Sequence, residues 1–247
     1  MNSSISTSID PDEIEKFSKM ADEWWDEKGK FKPLHKFNPI RLKYIVETIK
    51  EQFFLSNSYL PLNGLKILDV GCGGGLLCEP LARLGASVTG IDMSEKTISI
   101  ASLHAKKENL DIEYLLSSAE DLASKRAGKY DVVLNMEVIE HIADTDSFIQ
   151  AIAKLTRKDG LIFNATLNKT IKSYLFAIVG AEYILNWLPK GTHSWQKFIK
   201  PIELVNLLEK HNCVIKDTKG VEYNPIKDNF YLSNSLKVNY MILATRL

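Results

Sequence analysis

The stretch Ile67-Leu68-Asp69-Val70-Gly71-Cys72-Gly73-Gly74-Gly75 decides how the rest of the chain reads. A short apolar strand over 66–70 delivers the chain into a turn that side chains would otherwise fill. Glycine removes that obstruction and permits positive φ. About 20 residues on, a second apolar strand over 87–91 closes with Asp92, a position from which a carboxylate accepts two hydrogen bonds from ribose hydroxyls. Strand, glycine turn and acidic strand end together describe an adenosine-containing cofactor lying across the carboxyl ends of two neighbouring strands.

The choice of cofactor turns on one position. A dinucleotide fingerprint needs glycine at 71, 73 and 76, the third for tight packing of helix on strand. Position 76 is Leu. Glycines at 71, 73 and 75 after Asp69 instead resemble the first motif of the S-adenosylmethionine-dependent methyltransferases. A cofactor without a pyrophosphate does not require the third dinucleotide glycine.

Outward from this loop, strands and helices alternate. Further strands are expected over 112–116, 130–134 and 161–166, with helices to about Leu84 and over 93–107 and 146–155. Ser94 reads as the N-cap of the second of these helices. Repeated βα units imply a parallel sheet with helices on both faces. Cys213–Thr218 and Val238–Ala244 read as two closing strands, expected as an antiparallel hairpin at the sheet edge. The expected fold is therefore α/β, a doubly wound Rossmann-like, mostly parallel seven-stranded sheet. Residues 1–60 read as an N-terminal helical cap, with Asp10-Pro11 and Asn38-Pro39 as helix starts. Residues 61–247 form the main domain, interrupted by a lid-like insertion over 168–200.

Composition narrows the function. The 247 residues carry 31 basic and 31 acidic side chains, a formal net charge of zero. Balanced charge provides no global field for nucleic acid, and no Asn-Pro-Pro-Tyr tetrapeptide follows the fourth strand. Three cysteines without metal spacing, and an N-terminal stretch without a basic and apolar leader, point to a reducing cytoplasmic compartment. No run approaches the ~20 apolar residues that span a bilayer.

Flanking motifs carry a more selective resemblance. Trp24-Trp25-Asp26, Gly29-Lys30-Phe31-Lys32-Pro33-Leu34-His35, Asn38-Pro39-Ile40-Arg41-Leu42 and Met136-Glu137-Val138-Ile139-Glu140-His141 resemble the ubiquinone-biosynthesis O-methyltransferases. So do 179–185, Pro189-Lys190-Gly191-Thr192-His193, 197–201 and Tyr223-Asn224-Pro225, and the similarity runs from about residue 12 to 243. The resemblance implies a class I methyltransferase fold. It implies methyl transfer from S-adenosylmethionine to ring hydroxyls of polyprenyl phenol and catechol intermediates, at two steps of the quinone pathway. It carries cofactor contacts onto Arg41, Gly71, Asp92 and Met136, beside Asp69 and Gly73 of the loop. Taken alone, Arg41 reads sooner as a surface residue beside Lys43 than as a cofactor contact. Ser118-Ala119-Glu120-Asp121 reads either as an adenine contact or as a helix cap.

Attack of a ring oxygen on a sulfonium methyl needs the proton removed or shared. Two routes are open. If the segment is helical, Glu137, Glu140 and His141 share one face and suit Mg2+, a metal role associated with these positions in the family. Alternatively His141 is the general base with Glu140 orienting it, and His193 is a second candidate base. The apolar stretch 174–188, flanked by Lys169, Lys172 and Lys190, reads as a reversible contact with membrane lipid or as a lid. Residues 168–190 would then place the protein peripherally on the inner face of the membrane, with quinone-pathway enzymes as further partners. An NAD-dependent dehydrogenase and a non-catalytic cofactor-binding protein are the remaining alternatives; Leu76 argues against the first.

Overall fold

The computed structural model describes residues 11–29, 31–56, 58–173 and 195–247. Eight strands form one sheet, in the order β3-β2-β1-β4-β5-β8-β6-β7. They are β1 (Lys66–Val70), β2 (Ser87–Asp92), β3 (Ile112–Leu116), β4 (Tyr130–Met136), β5 (Thr156–Leu167), β6 (Cys213–Asn224), β7 (Asn229–Ser233) and β8 (Asn239–Arg246). Strands β1 to β5 are parallel to one another. β8 runs antiparallel to β5, β6 to β8, and β7 to β6. The central strands β1 and β4 are buried along nearly their whole length, which is why they read as unbroken apolar runs.

Helices cover both faces. α1 (Pro11–Met20) and α2 (Lys32–Gln52) precede the sheet; α3 (Cys78–Arg83), α4 (Glu95–Lys107), α5 (Ala119–Lys125) and α6 (Thr145–Leu155) follow successive strands. The single turn α7 (Ile171–Ser173) and α8 (Pro201–Lys210) come after β5. Leu122, Ile149, Ile152, Leu204 and Leu208 of α5, α6 and α8 share one core with Leu68, Val133 and Ile162. Phe37, Tyr44, Ile45 and Ile49 of α2 pack into the other, with Ile67, Leu134 and Phe163. Ser94 caps α4 by accepting from the Thr97 N–H, as its sequence position indicates.

Three expectations are corrected. The sheet has eight strands, not seven, because 229–233 adds an edge strand. β8 is not part of an edge hairpin: it lies between β5 and β6, and the hairpin at the edge is β6–β7. Asn224 Oδ1 accepts from the N–H groups of Ile226 and Lys227 and shapes that turn. The second helix starts at Lys32, not at Asn38, so Pro39 sits inside it. Proline there leaves the His35 carbonyl without its helical donor and costs about 3 kcal/mol in an ordinary helix interior. Burial of Phe37, Arg41, Tyr44, Ile45 and Ile49 on one side of α2 offsets that cost.

β1 and β4 are adjacent, yet their partners continue outward in opposite directions. This reversal is where ligands bind open α/β sheets, beyond the strands' carboxyl ends. Leu134, fully buried between Asp69 of β1 and Phe163 of β5, supports that point. Leu134→Ala is expected to lower unfolding stability by about 2–5 kcal/mol in urea denaturation. A loss below about 1 kcal/mol would contradict its place in the core.

Candidate active site

The glycine turn after β1 is left-handed at three positions, with φ of 67° at Gly71, 54° at Gly73 and 90° at Gly75. None has room for a side chain. A Cβ would lie 2.5 Å from Val138 Cγ2 at Gly71, 2.4 Å from the Trp24 ring at Gly73, and 2.2 Å from Tyr114 Oη at Gly75. Asp92 braces the turn: Oδ2 accepts from the Gly73 N–H at 3.1 Å and Oδ1 from the Ser94 N–H at 2.9 Å. Burial raises the Asp92 pKa, against the pull of the N–H groups of Ser94, Gly73 and Met93.

A cavity of about 240 Å³ opens at this end of the sheet. Arg41, Asp69, Gly71, Gly73, Asp92 and Met136 all line it, together with Glu137 and His141. Ser117 to Glu120 form another part of its wall. Ser118 also caps α5 by accepting from the Asp121 N–H. The N-terminal segment adds Glu13, Trp24, Phe31, Leu34 and Asn38, and Val138, Ile142 and Phe148 add an apolar part.

Arg41 is not a surface residue. It is 3% exposed, its guanidinium lies 3.6 Å over the Phe37 ring, and Nη2 donates to Glu137 Oε1 at 2.5 Å. Burial pulls its pKa down, opposed by Glu137, Glu140 and Asp69. Asp69 is also buried, accepts from Cys78 Sγ at 3.3 Å, and is pushed up to about 7, chiefly by loss of water. Cys78 and Arg41 limit that rise.

The Glu137-to-His141 segment departs from expectation. It is not an α-helix: Glu137 has φ 60° and Ile139–His141 is a single 3₁₀ turn. The shared helical face therefore does not form. Glu137 accepts from Arg41 and from Asn239 Nδ2, at 2.8 Å for the latter. Glu140 is buried below the cavity and accepts from Thr166 Oγ1 at 2.8 Å; burial and the charge of Glu137 push its pKa well up. His141 Nδ1 lies 2.9 Å from Glu13 Oε2. The carboxylate on this imidazole is thus Glu13 of α1, where Glu140 was expected. Among the described residues, no three His, Cys, Asp or Glu side chains gather into a group that could hold a metal. His193 lies outside the described residues, as does 174–188.

Sequence reading missed Glu13, Asn239 and the wall made by Trp24. Glu13 and His141 are 128 positions apart and Asn239 and Glu137 are 102 apart, beyond any local pattern. Phe37 beneath Arg41 had a usable signal, since residues four apart share a helix face.

Comparison with known proteins agrees with this geometry. A methyltransferase-domain family matches residues 68–164. The chain is 55% identical, over 95% of its length and 97% of the relative's, to a ubiquinone biosynthesis O-methyltransferase of Pelagibacter ubique. It is 52% identical to one of the same name from Bartonella tribocorum, covering 97% of each chain. Among solved structures, the magnesium protoporphyrin IX methyltransferase of Synechocystis with bound S-adenosylhomocysteine has the same fold. It has a TM-score of 0.65 at 20% identity, over 96% of this chain and 94% of that one. The PH0226 protein of Pyrococcus horikoshii gives 0.64 at 14% identity, over 94% of this chain and 99% of that one.

The buried Asp69 carboxyl makes a pH signature. With a pKa of 3.8 unfolded and about 7 folded, the native state holds the extra proton between those values. Stability is therefore full below about pH 4 and falls as pH rises to 7, by up to about 4 kcal/mol from this group. Glu140 and Asp92 shift in the same direction, so the wild type must be compared with Asp69→Asn. Urea denaturation across pH 4–7 is expected to show a flatter curve for the variant; parallel curves would contradict the assignment.

Proposed function

The chain belongs to the ubiquinone biosynthesis O-methyltransferases, and from that membership we propose how its cavity performs methyl transfer from S-adenosylmethionine to a ring hydroxyl. The observation that carries the reading is the convergence of Arg41, Asp69, Gly71, Gly73, Asp92 and Met136 on one cavity at the strand-order reversal.

The residues present fit the cofactor. Gly71 and Gly73 leave the main chain open to close approach, and Asp92 stands where a ribose diol would be accepted. Both carboxylate oxygens of Glu120 and Nε of Arg41 are buried with no partner among the described residues. These orphaned groups suit an adenine amino group and a cofactor carboxylate. When bound, S-adenosylmethionine supplies an electrophilic sulfonium methyl. The chain's part is to hold the ring hydroxyl in line with it and take the proton. We assign the proton to His141, which lines the cavity and whose Nδ1 lies 2.9 Å from Glu13 Oε2. Val138, Ile142 and Phe148 supply the apolar wall for a prenylated ring. The substrate class is a polyprenyl phenol or catechol, and residues 1–60 serve as the cap over a methyltransferase domain.

One observation favours a second route. Glu140 Oε1 is buried without a partner beside Glu137, and two carboxylates with an imidazole form a donor set that suits Mg2+. Glu137, Glu140 and His141 would hold the ion, which would acidify the hydroxyl; all three are turned to other partners here. A methyl-transfer assay on a short-chain prenyl catechol decides. The base reading expects activity indifferent to EDTA and a loss of about 10²–10⁴-fold in His141→Ala with cofactor binding intact. Activity abolished by EDTA and restored by Mg2+ would move the proton step to the metal. Cofactor binding without methyl transfer to any prenyl phenol or catechol would overturn the substrate assignment.

No described helix is long and apolar enough to cross a membrane. We assign residues 168–190 to reversible contact with membrane lipid, on the cytoplasmic face where other quinone-pathway enzymes would meet the same substrate. The apolar composition of 174–188 and its flanking lysines support this reading. Wild type is expected to co-sediment with anionic vesicles, and a variant with polar residues over 174–188 to stay in solution. Equal pelleting of both would end the assignment.

A further inference from the structure

Two tryptophans adjoin the glycine loop, and only one has its hydrogen-bonding group in use. Trp25 Nε1 donates to the Gly74 carbonyl at 3.0 Å, and its ring stacks on His104 at 3.5 Å with an interplanar angle of 6°. Trp24 lines the cavity, is 8% exposed, and stacks on Phe31 at 3.9 Å. Its Nε1–H is buried with no acceptor among the described residues. The Trp24 carbonyl meets His35 Nε2 at 2.9 Å, which ties the backbone down. Its ring fills the space that a side chain at Gly73 or Gly74 would need. An indole N–H is a donor only, and burying one without an acceptor is unfavourable unless a ligand supplies the acceptor.

The same cavity holds a second donor of this kind. Arg41 Nε is also buried without a partner, on the neighbouring helix of the N-terminal cap. Two donors lacking acceptors, both from residues 11–52 and both in the wall of one cavity, suit an anionic ligand group. The cofactor has one, the carboxylate of its amino-acid arm. Resting on the methyltransferase reading, we propose that Trp24 is a cofactor-binding residue whose indole N–H donates to that carboxylate, completing with Arg41 an amino-acid clamp built from the cap. The sheet then reads the nucleoside and the cap reads the amino acid. The Trp24-Trp25 pair divides the work: Trp25 fixes the loop, and Trp24 grips the ligand.

Calorimetry with S-adenosylmethionine and with decarboxylated S-adenosylmethionine, which lacks only the carboxylate, tests this. Trp24→Phe keeps a ring on the loop and removes the N–H. It is expected to weaken S-adenosylmethionine binding about tenfold or more and to leave the decarboxylated ligand within about twofold. Equal losses for both ligands would reduce Trp24 to packing and overturn the proposal, as would an unchanged affinity for S-adenosylmethionine. If the variant does not fold, wild-type protein carrying 15N-labelled tryptophan decides. The Trp24 indole resonance, assigned by eliminating Trp25, Trp187 and Trp195 in single Phe variants, moves downfield with S-adenosylmethionine and not with the decarboxylated ligand. An unmoved resonance overturns the proposal. Failure of the wild type to bind S-adenosylmethionine at all would instead remove the methyltransferase reading beneath it.

Discussion

The turn after β1 exists only because three of its residues have no side chain. Positive φ at Gly71, Gly73 and Gly75 costs an L-residue energy on its own. Here the Cβ positions are also occupied, by Val138, Trp24 and Tyr114 in turn. Each intruder comes from a different part of the chain: the segment after β4, the N-terminal cap, and β3. The turn is therefore the place where these parts are registered against one another. Asp92 locks it from the next strand through the Gly73 N–H. Adding one methyl group at Gly71 or Gly73 would push apart the walls of the cavity as well as the turn.

The second dependency is a buried cluster of charge beside that turn. Arg41, Asp69 and Glu140 are shifted by burial there, and the charge of Glu137 acts on Arg41 and Glu140. Burying a charge is costly unless it is paired and hydrogen-bonded. Arg41 meets that condition through Glu137 and the face of Phe37, and Glu137 through Arg41 and Asn239. Glu140 meets it differently: burial and the charge of Glu137 push its pKa well up, which favours the neutral form. Glu137 also adopts a left-handed backbone without being glycine, a strain of order 1–3 kcal/mol that surrounding structure must sustain. Glu137 lines the cavity together with three residues that carry orphaned polar atoms, Trp24, Arg41 and Glu120, a combination found where a protein gives up stability for binding and chemistry.

The N-terminal segment has a larger part than a cap placed on a finished domain. α2 contributes Phe37, Tyr44, Ile45 and Ile49 to the core on one face of the sheet. Tyr44 Oη donates to Asp217 of β6, and Lys36 pairs with Asp228 in the β6–β7 turn. α1 carries Glu13 to His141, after β4, and to Lys197, within the insertion. Cofactor cavity, proposed base and insertion thus share one element, so the order of the N-terminal segment and the shape of the site are physically linked.

By itself the sequence determined what local patterns encode. The buried strands β1, β2 and β4 were legible as short apolar runs, the turn as glycines after Asp69, the acidic end of β2 as Asp92, and the α4 cap as Ser94. Each signal spans about ten residues or fewer, and its physical cause lies within that span. Only the tertiary structure decided the rest. β7 is a short, half-polar edge strand with pairing on one side only, so it shows no apolar run. The place of β8 between β5 and β6 depends on ladders formed across the chain. Pro39 reads as a helix start because its cost is local, whereas the packing that overrides it is not. Arg41 reads as surface until α2 lays it on Phe37 beside Glu137. The Glu13–His141 contact and the Asn239–Glu137 hydrogen bond come into being only when segments more than 100 residues apart are brought together, because side-chain contacts are short-ranged and leave no trace in local order.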